Sequence, residues 1–153
     1  METEGNRVLT NVHMIQVEWG DCDPAGIVFY PNYYRWMDEA TWRLFARAGL
    51  TWERFQAEYD APGMPLVNTH AEFRAPSFFT DSLGIESHIS KIGTKSLTVS
   101  HTFTCKGNVV VEGWEKRVWC IGNPGRDRQV VTGPIPDQVK VLLAHNVGAP
   151  AFG

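Results

Sequence analysis

The sequence predicts an α+β domain in which an antiparallel β-sheet of about five strands packs against one long helix. Three observations predict this class. One amphipathic helix occurs early in the chain, over residues 32–48. Segments with strand periodicity precede and follow it, and short turns join most of the later ones, which favours antiparallel pairing. With 153 residues and 43% hydrophobic content, the chain is expected to form a single domain, 1–153, with a sizeable core.

The first strand is predicted over residues 9–19, where apolar and polar residues alternate. The residues expected on its inner face are Ile15, Val17 and Trp19. In the helix that follows, Pro31 suits the first position because its missing N–H costs nothing there, and Gly49 suits the left-handed position after the end. The apolar positions recur every three or four residues, as expected for a helix lying on a sheet. They are Tyr33, Trp36, Met37, Ala40, Thr41, Leu44, Phe45 and Ala48.

The remaining elements follow from periodicity and from Gly and Pro punctuation. They are a short helix over 52–59, strands over 66–73, 84–92, 96–105 and 109–121, and a final helix over 136–145. Gly113, inside the last strand, indicates a bulge or a close approach of another backbone. Since one helix leaves an edge or a face of such a sheet poorly covered, a homo-oligomer is expected.

Composition excludes several classes of protein. The formal net charge is −3 and no block of Lys and Arg occurs, which argues against binding of nucleic acid or a membrane surface as the main role. There is no run of eighteen apolar residues and no signal-like N-terminus, so a cytoplasmic protein is expected. Three widely spaced cysteines, without a CxxC pair, argue against a zinc site built on thiolates.

The candidate chemistry lies at Asp23, in a tight turn between the first strand and the helix. A helix start offers free backbone N–H groups and partial positive charge. A carboxylate beside it could attack a carbonyl or deprotonate water while an N–H near Tyr30 stabilises the oxyanion. The alternative is that Asp21 and Asp23 only make turn hydrogen bonds. A calcium loop is disfavoured because Asn32 stands where that loop needs Glu, and no other metal site is expected.

The residues around this turn resemble a known family. The segment from Trp19 to Tyr33 reads WGDCDPAGIVFYPNY, and RWMD follows at positions 35–38. This motif resembles the hotdog-fold acyl-CoA thioesterases, and within them the 4-hydroxybenzoyl-CoA thioesterase group. The resemblance implies a hotdog fold, with the sheet wrapped around the helix. It also implies that subunits pair, with sites at the interface. A homotetramer built as a dimer of dimers is expected, and a dimer is the alternative.

The resemblance also implies roles for particular residues. Asp23 would be the catalytic carboxylate, as nucleophile or general base, and the backbone N–H of Tyr30 would polarise the thioester carbonyl. Asp38 would bind a ring hydroxyl of the acyl group; the alternative is an ordinary solvated helix acid. Thr94 and Lys95 fall on the turn that carries the family's basic cluster and would bind the CoA portion. Lys95 matches that cluster, whereas Thr94 stands where relatives can have arginine.

The expected reaction is hydrolysis of an aromatic acyl-CoA, similar to 4-hydroxybenzoyl-CoA, to the free acid and CoA. Its partner is a small-molecule acyl-CoA, and no cofactor is expected beyond the coenzyme A of the substrate. Three alternatives remain open. They are a thioesterase for short or medium aliphatic acyl-CoA or acyl carrier protein, a hotdog dehydratase, and a non-catalytic acyl-CoA binding module. The dehydratase motif, which contains His and Asp, is not found in the sequence.

Overall fold

The fold is that of a computed structural model, which describes residues 9–144. The helices are α1 (Pro31–Arg47), α2 (Trp52–Tyr59), α3 (Pro124–Asp127) and α4 (Asp137–Ala144). The strands are β1 (Thr10–Gln16), β2 (Leu66–Phe73), β3 (Ser82–Ile92), β4 (Ser96–Cys105), β5 (Asn108–Val118), β6 (Cys120–Ile121) and β7 (Val131–Thr132). The predicted end of the last helix, His145, lies outside the described residues. Within residues 9–144, no helix is long and apolar enough to cross a membrane.

The first five strands form one antiparallel sheet, which confirms the predicted α+β class. Its order is β1-β3-β4-β5-β2, so β1 and β2 are the edge strands. The two short strands β6 and β7 pair separately. Because α1 lies against one face of the sheet, the strands place their inward side chains around the helix.

The helix α1 buries the stripe that its periodicity predicts. Its buried residues are Tyr33, Trp36, Met37, Ala40, Thr41, Leu44 and Phe45. The helix begins at Pro31 and is followed by Gly49, whose φ of +85° is the left-handed conformation expected there. Burial of this stripe provides most of the apolar contact that fixes α1 on the sheet.

Gly113 on β5 allows α1 and β2 to come close. A Cβ atom at this position would lie 2.7 Å from Sδ of Met37 and 2.8 Å from the carbonyl oxygen of His70. The close approach predicted from the sequence is therefore confirmed. The other possibility was a bulge at Gly113. The register shift between β4 and β5 lies instead between Phe103 and Thr104.

The predicted first strand is too long. The strand ends at Gln16, and Trp19 lies in a short 3₁₀ helix, Trp19–Asp21, with 76% of its surface exposed. The cause is a side chain: Asp21 Oδ2 accepts the backbone N–H of Glu18 at 2.8 Å and closes the turn. This bond ends the strand although the alternation of apolar residues continues, so Trp19 is not an inner-face residue.

Candidate active site

The loop before α1 is folded back on itself by backbone hydrogen bonds. Asp23 N–H donates to the carbonyl of Ile27 at 2.9 Å, and Phe29 N–H donates to the carbonyl of Asp21 at 2.8 Å. The turn between them closes where Gly26 N–H donates to the carbonyl of Asp23 at 2.9 Å. Gly26 has a φ of +82°, which an L side chain would strain. The loop therefore returns the chain to the helix start with Asp23 at its turn.

Asp21 has a structural role in this loop. Besides accepting from Glu18, its carboxylate accepts from Nη2 of Arg35 at 3.1 Å, through Oδ1. Its carbonyl oxygen accepts from Nδ2 of Asn32 at 2.8 Å. Since Arg35 and Asn32 belong to the first turns of α1, Asp21 ties the loop to the helix. For Asp21, the alternative of a residue that makes turn hydrogen bonds therefore agrees with the structure.

Asp23 is held differently. It is partly buried, and its Oδ1 accepts the backbone N–H of Ala25 at 2.8 Å. Its Oδ2 has no hydrogen-bond partner within residues 9–144. The turn bond is thus present at Asp23 as well, but it uses one oxygen only. That bond orients the carboxylate and leaves the other oxygen available for chemistry.

Tyr30 carries the free donor at the start of α1. It is the N-cap residue, and Pro31 after it has no N–H. The next two N–H groups are used: Asn32 donates to Phe29 O at 3.0 Å and Tyr33 donates to Tyr30 O at 3.1 Å. No acceptor within the described chain engages the N–H of Tyr30. An unpaired N–H at a helix start can stabilise an oxyanion.

Tyr30 lines an apolar cleft. It has a volume of about 350 Å³ and is lined by Ile27, Tyr30, Tyr33, Phe73, Arg74 and Pro76, among others. The rings of Tyr30 and Tyr33 both contact Phe73, with centroids 6.3 and 5.5 Å apart. The guanidinium of Arg74 is paired with Glu72 and Glu112. The size and apolar lining of the cleft suit an aromatic or aliphatic acyl group beside Tyr30.

Asp38 lies in a second cleft, farther along α1. This cleft has a volume of about 550 Å³, and Trp42 and Trp52 form apolar parts of its wall. Asp38 is not an isolated helix acid, because its Oδ1 accepts from Nη2 of Arg117 at 2.5 Å. The isolated chain thus places Tyr30 and Asp38 in separate clefts.

Thr94 and Lys95 are exposed in the turn between β3 and β4. The other end of β3 adjoins the segment that leads into the Asp23 loop, because Asp81 O accepts the N–H of Val17 at 2.8 Å. The strand has eleven residues, so its ends are about 35 Å apart at roughly 3.3 Å per residue. Within one chain, Thr94 and Lys95 are therefore remote from Asp23.

A buried polar network, which the sequence analysis missed, connects α1 to three strands. Its members are Thr41 on α1, Ser87 on β3, His101 on β4, and Glu115 and Arg117 on β5, all of them buried. Thr41 Oγ1 donates to Oε2 of Glu115, and Nε2 of His101 lies 3.4 Å from the same oxygen. Ser87 Oγ lies 2.7 Å from Nδ1 of His101. The available signal was the presence of Glu115 and Arg117 at inward positions of a strand.

The network keeps Glu115 charged. Burial alone would raise the pKa of this carboxyl, but hydrogen bonds from His101 and Arg117, and the charge of Arg117, lower the pKa to about 2. In the opposite direction, burial would lower the pKa of Arg117, and its bonds to Glu115 and Asp38 raise it. The two groups therefore form a buried ion pair whose charges depend on each other.

The cysteines Cys22, Cys105 and Cys120 are free thiols. Among residues 9–144, no group of three or more His, Cys, Asp or Glu residues is arranged to hold a metal ion.

Similarity to known proteins extends over most of the chain. A family model described as the thioesterase-like superfamily matches residues 17–142. The 4-hydroxybenzoyl-CoA thioesterase of Pseudomonas sp. (strain CBS-3) is 36% identical over 121 residues, which cover 75% of this chain and 86% of that protein. The 1,4-dihydroxy-2-naphthoyl-CoA hydrolase of Synechococcus sp. (strain WH7803) is 28% identical over 134 residues, 84% of each chain. The structure of a gentisyl-coenzyme A thioesterase is similar with a TM-score of 0.75 and 36% identity, over 88% of this chain and 100% of that one.

Proposed function

The chain belongs to the thioesterase-like superfamily and is a hotdog-fold acyl-CoA thioesterase, and we propose that it hydrolyses a hydroxylated aromatic acyl-CoA. The family expected from the motif at residues 19–38 is thereby confirmed. The three relatives named above are called thioesterases or hydrolases of hydroxylated aromatic acyl groups. In this chain, the observation that carries the proposal is the unpaired N–H of Tyr30, at the helix start to which the Asp23 turn returns.

The proposed role of Tyr30 is to bind the thioester carbonyl oxygen. Negative charge develops on this oxygen when a nucleophile attacks the carbonyl carbon. A fixed N–H at the positive end of α1 stabilises that charge without reorganisation. Loss of one such donor typically costs about 3–4 kcal/mol of transition-state stabilisation.

Asp23 supplies the other half of the reaction by one of two routes. In the first, Oδ2 attacks the carbonyl carbon, the C–S bond breaks, CoA leaves as a thiolate that takes up a proton, and water hydrolyses the resulting anhydride. In the second, Asp23 takes a proton from a water molecule, whose oxygen attacks the carbonyl carbon before the same C–S bond breaks. Label from ¹⁸O water found in the Asp23 carboxylate after a single turnover would identify the first route.

The proposed assembly joins two copies of the chain at the open edge of β2. Among the described residues, no strand pairs with the outer edge of β2, and Leu66, Val67 and Phe73 on it are exposed. Such an edge is a template for pairing with another strand. We propose that, in a dimer formed there, Asp38 of one subunit lies near the Tyr30 cleft of the other. Thr94 and Lys95, remote from Asp23 in their own chain, would bind CoA held by another subunit.

We expect light scattering to give twice or four times the mass of the chain. Val67→Lys should shift the population toward monomer, because the lysine places a charge on the pairing edge. Val141→Lys on α4 is the matched control, since Val67 and Val141 are 54% and 56% exposed. A wild-type monomer, or equal effects of the two substitutions, would contradict assembly through β2.

A panel of thioesters tests the acyl group. We expect kcat/KM for 4-hydroxybenzoyl-CoA to exceed the values for benzoyl-CoA and butyryl-CoA by at least about tenfold, because a hydrogen bond to a charged group contributes about 1.5–3 kcal/mol. Asp38→Ala should lower the value for the hydroxylated substrate by about 10- to 100-fold and affect butyryl-CoA much less. Thiol release from each thioester is the measurement.

The control for Asp38→Ala is Glu39→Ala, which removes a neighbouring carboxylate already paired with Arg35. It should leave the order of substrates unchanged. A panel in which butyryl-CoA is the best substrate would favour the aliphatic alternative. Tight binding of every thioester without thiol release would favour the binding module.

A further inference from the structure

We infer that Arg117 is a positioning residue for the acyl group, because it links the buried network to Asp38 and fixes one oxygen of this residue, which lines the cleft. Nothing in the sequence motif involves Arg117. The inference rests on the proposed function, in which Asp38 accepts a hydrogen bond from a hydroxyl of the acyl group.

Arg117 uses its whole guanidinium group in the interior. Its Nε and Nη2 donate to the two carboxylate oxygens of Glu115 at 3.2 and 2.9 Å. Nη1 donates to the carbonyl of Met64 at 3.1 Å, and Nη2 also donates to Oδ1 of Asp38. Four acceptors thus fix the planar group, which is only 4% exposed. A guanidinium held in this way can hold Asp38 in one orientation.

The inner end of the network is anchored on all sides. Glu115 accepts from Arg117 and Thr41 and contacts His101, whose other ring nitrogen lies against Ser87. These residues come from α1 and from the adjacent strands β3, β4 and β5. Because every member is bonded, Arg117 has no alternative position that would leave these bonds intact.

The outer end of the network is Asp38. Its side chain is 53% exposed, whereas the side chains of Glu115 and Arg117 are almost completely buried. Two carboxylates share one guanidinium, so the excess negative charge lies at the exposed end. Oδ2 of Asp38 has no partner within residues 9–144, and the apolar rings of Trp42 and Trp52 line the same cleft. This geometry suits an aromatic ring that donates a hydroxyl.

Stability alone is a weak explanation for this arrangement. Replacement of a buried ion pair by apolar residues of similar size is often neutral or stabilising. The planar fork of Arg117 has a further property: it reaches Glu115 and Asp38 at once, and the single ammonium of a lysine does not. Arg117→Lys therefore keeps a positive charge beside Glu115 and removes the bridge to Asp38.

We expect Arg117→Lys to lower the ratio of kcat/KM for 4-hydroxybenzoyl-CoA over benzoyl-CoA by at least about tenfold, mainly through KM for the hydroxylated substrate. Arg126→Lys is the matched control, because Arg126 also joins two aspartates, Asp60 and Asp127, but on the surface. It should change the ratio less than twofold. In an Asp38→Asn background, Arg117→Lys should also change the ratio less than twofold, since it acts through Asp38.

Equal losses for both substrates in Arg117→Lys, or full additivity with Asp38→Asn, would overturn the positioning role. If Arg117→Lys does not fold, Glu115→Gln, which loosens the same guanidinium, must lower the ratio at least threefold, or the inference fails. A wild-type enzyme that does not distinguish the two aromatic substrates would instead refute the proposed role of Asp38. The failure of the inference and the failure of the proposed function thus give different results.

Discussion

Asp23→Asn should lower kcat for hydrolysis of 4-hydroxybenzoyl-CoA by about a thousandfold and leave KM within about threefold. The amide keeps the size of the carboxylate, and its oxygen can still accept the N–H of Ala25, which holds the turn. It cannot act as an anionic nucleophile or take a proton from water, and such groups typically contribute 10²- to 10⁴-fold. Release of CoA measured with a thiol reagent is the assay.

The control is Asp21→Asn, two residues away in the same loop. Asp21 uses its carboxylate on Glu18 and Arg35, so its replacement should reduce thermal stability and retain most of the turnover. Turnover by Asp23→Asn at the wild-type rate would remove Asp23 from the mechanism. A large loss of kcat in Asp21→Asn with an unchanged melting temperature would show that Asp21, and not Asp23, is the catalytic acid.

Glu115→Ala should lower the free energy of unfolding by about 3–5 kcal/mol. The substitution leaves the guanidinium of Arg117 buried beside only one carboxylate and removes the acceptor of Thr41. Glu112→Ala on the same strand is the control. Glu112 pairs with Arg74 at the surface, so its loss should cost less than about 1 kcal/mol. Denaturant titration measures both changes, and equal values would contradict the structural role of the network.

The carboxylate of Glu115 also makes the free energy of unfolding depend on pH. Its pKa is about 2 in the folded chain against an ordinary value of 4.5, so Glu115 stabilises the fold above pH 4.5. This contribution is lost as the pH falls from 4.5 to 2, and at 1.36 kcal/mol per unit it amounts to about 3 kcal/mol. Glu115→Ala should lack this part of the acid destabilisation. If the wild-type protein and Glu115→Ala lose the same free energy of unfolding between pH 4.5 and pH 2, this contribution of Glu115 is refuted.

Short-range patterns predicted much of the fold. The apolar stripe of α1 is visible because its residues repeat every three or four positions, and the buried face of β4 because its residues alternate. The choice of Asp23 and Tyr30 depended on a continuous motif. The structure adds a physical reason for each: one free carboxylate oxygen and one unpaired N–H, both in the described chain.

The sequence alone did not predict which side chains pair across the core. Arg117 is 79 positions from Asp38, and Thr41 is 74 positions from Glu115. Periodicity predicts the face of a strand on which a residue lies, but not the residue that it meets across the core. The excess length of the first predicted strand has a different cause. The side chain of Asp21 accepts the N–H of Glu18 and closes a turn, although the alternation of apolar residues continues to Trp19.

Asp21 and Asp23 have different roles in the loop, and this difference has an evolutionary consequence. The bonds that shape the loop involve Asp21 and backbone groups, and the one side-chain bond of Asp23 is of a kind that asparagine also makes. Aspartate and asparagine codons differ by a single nucleotide. With the proposed role of Asp23, we therefore expect one point mutation to give a protein that binds its ligand without turnover, and the reverse mutation to restore the activity.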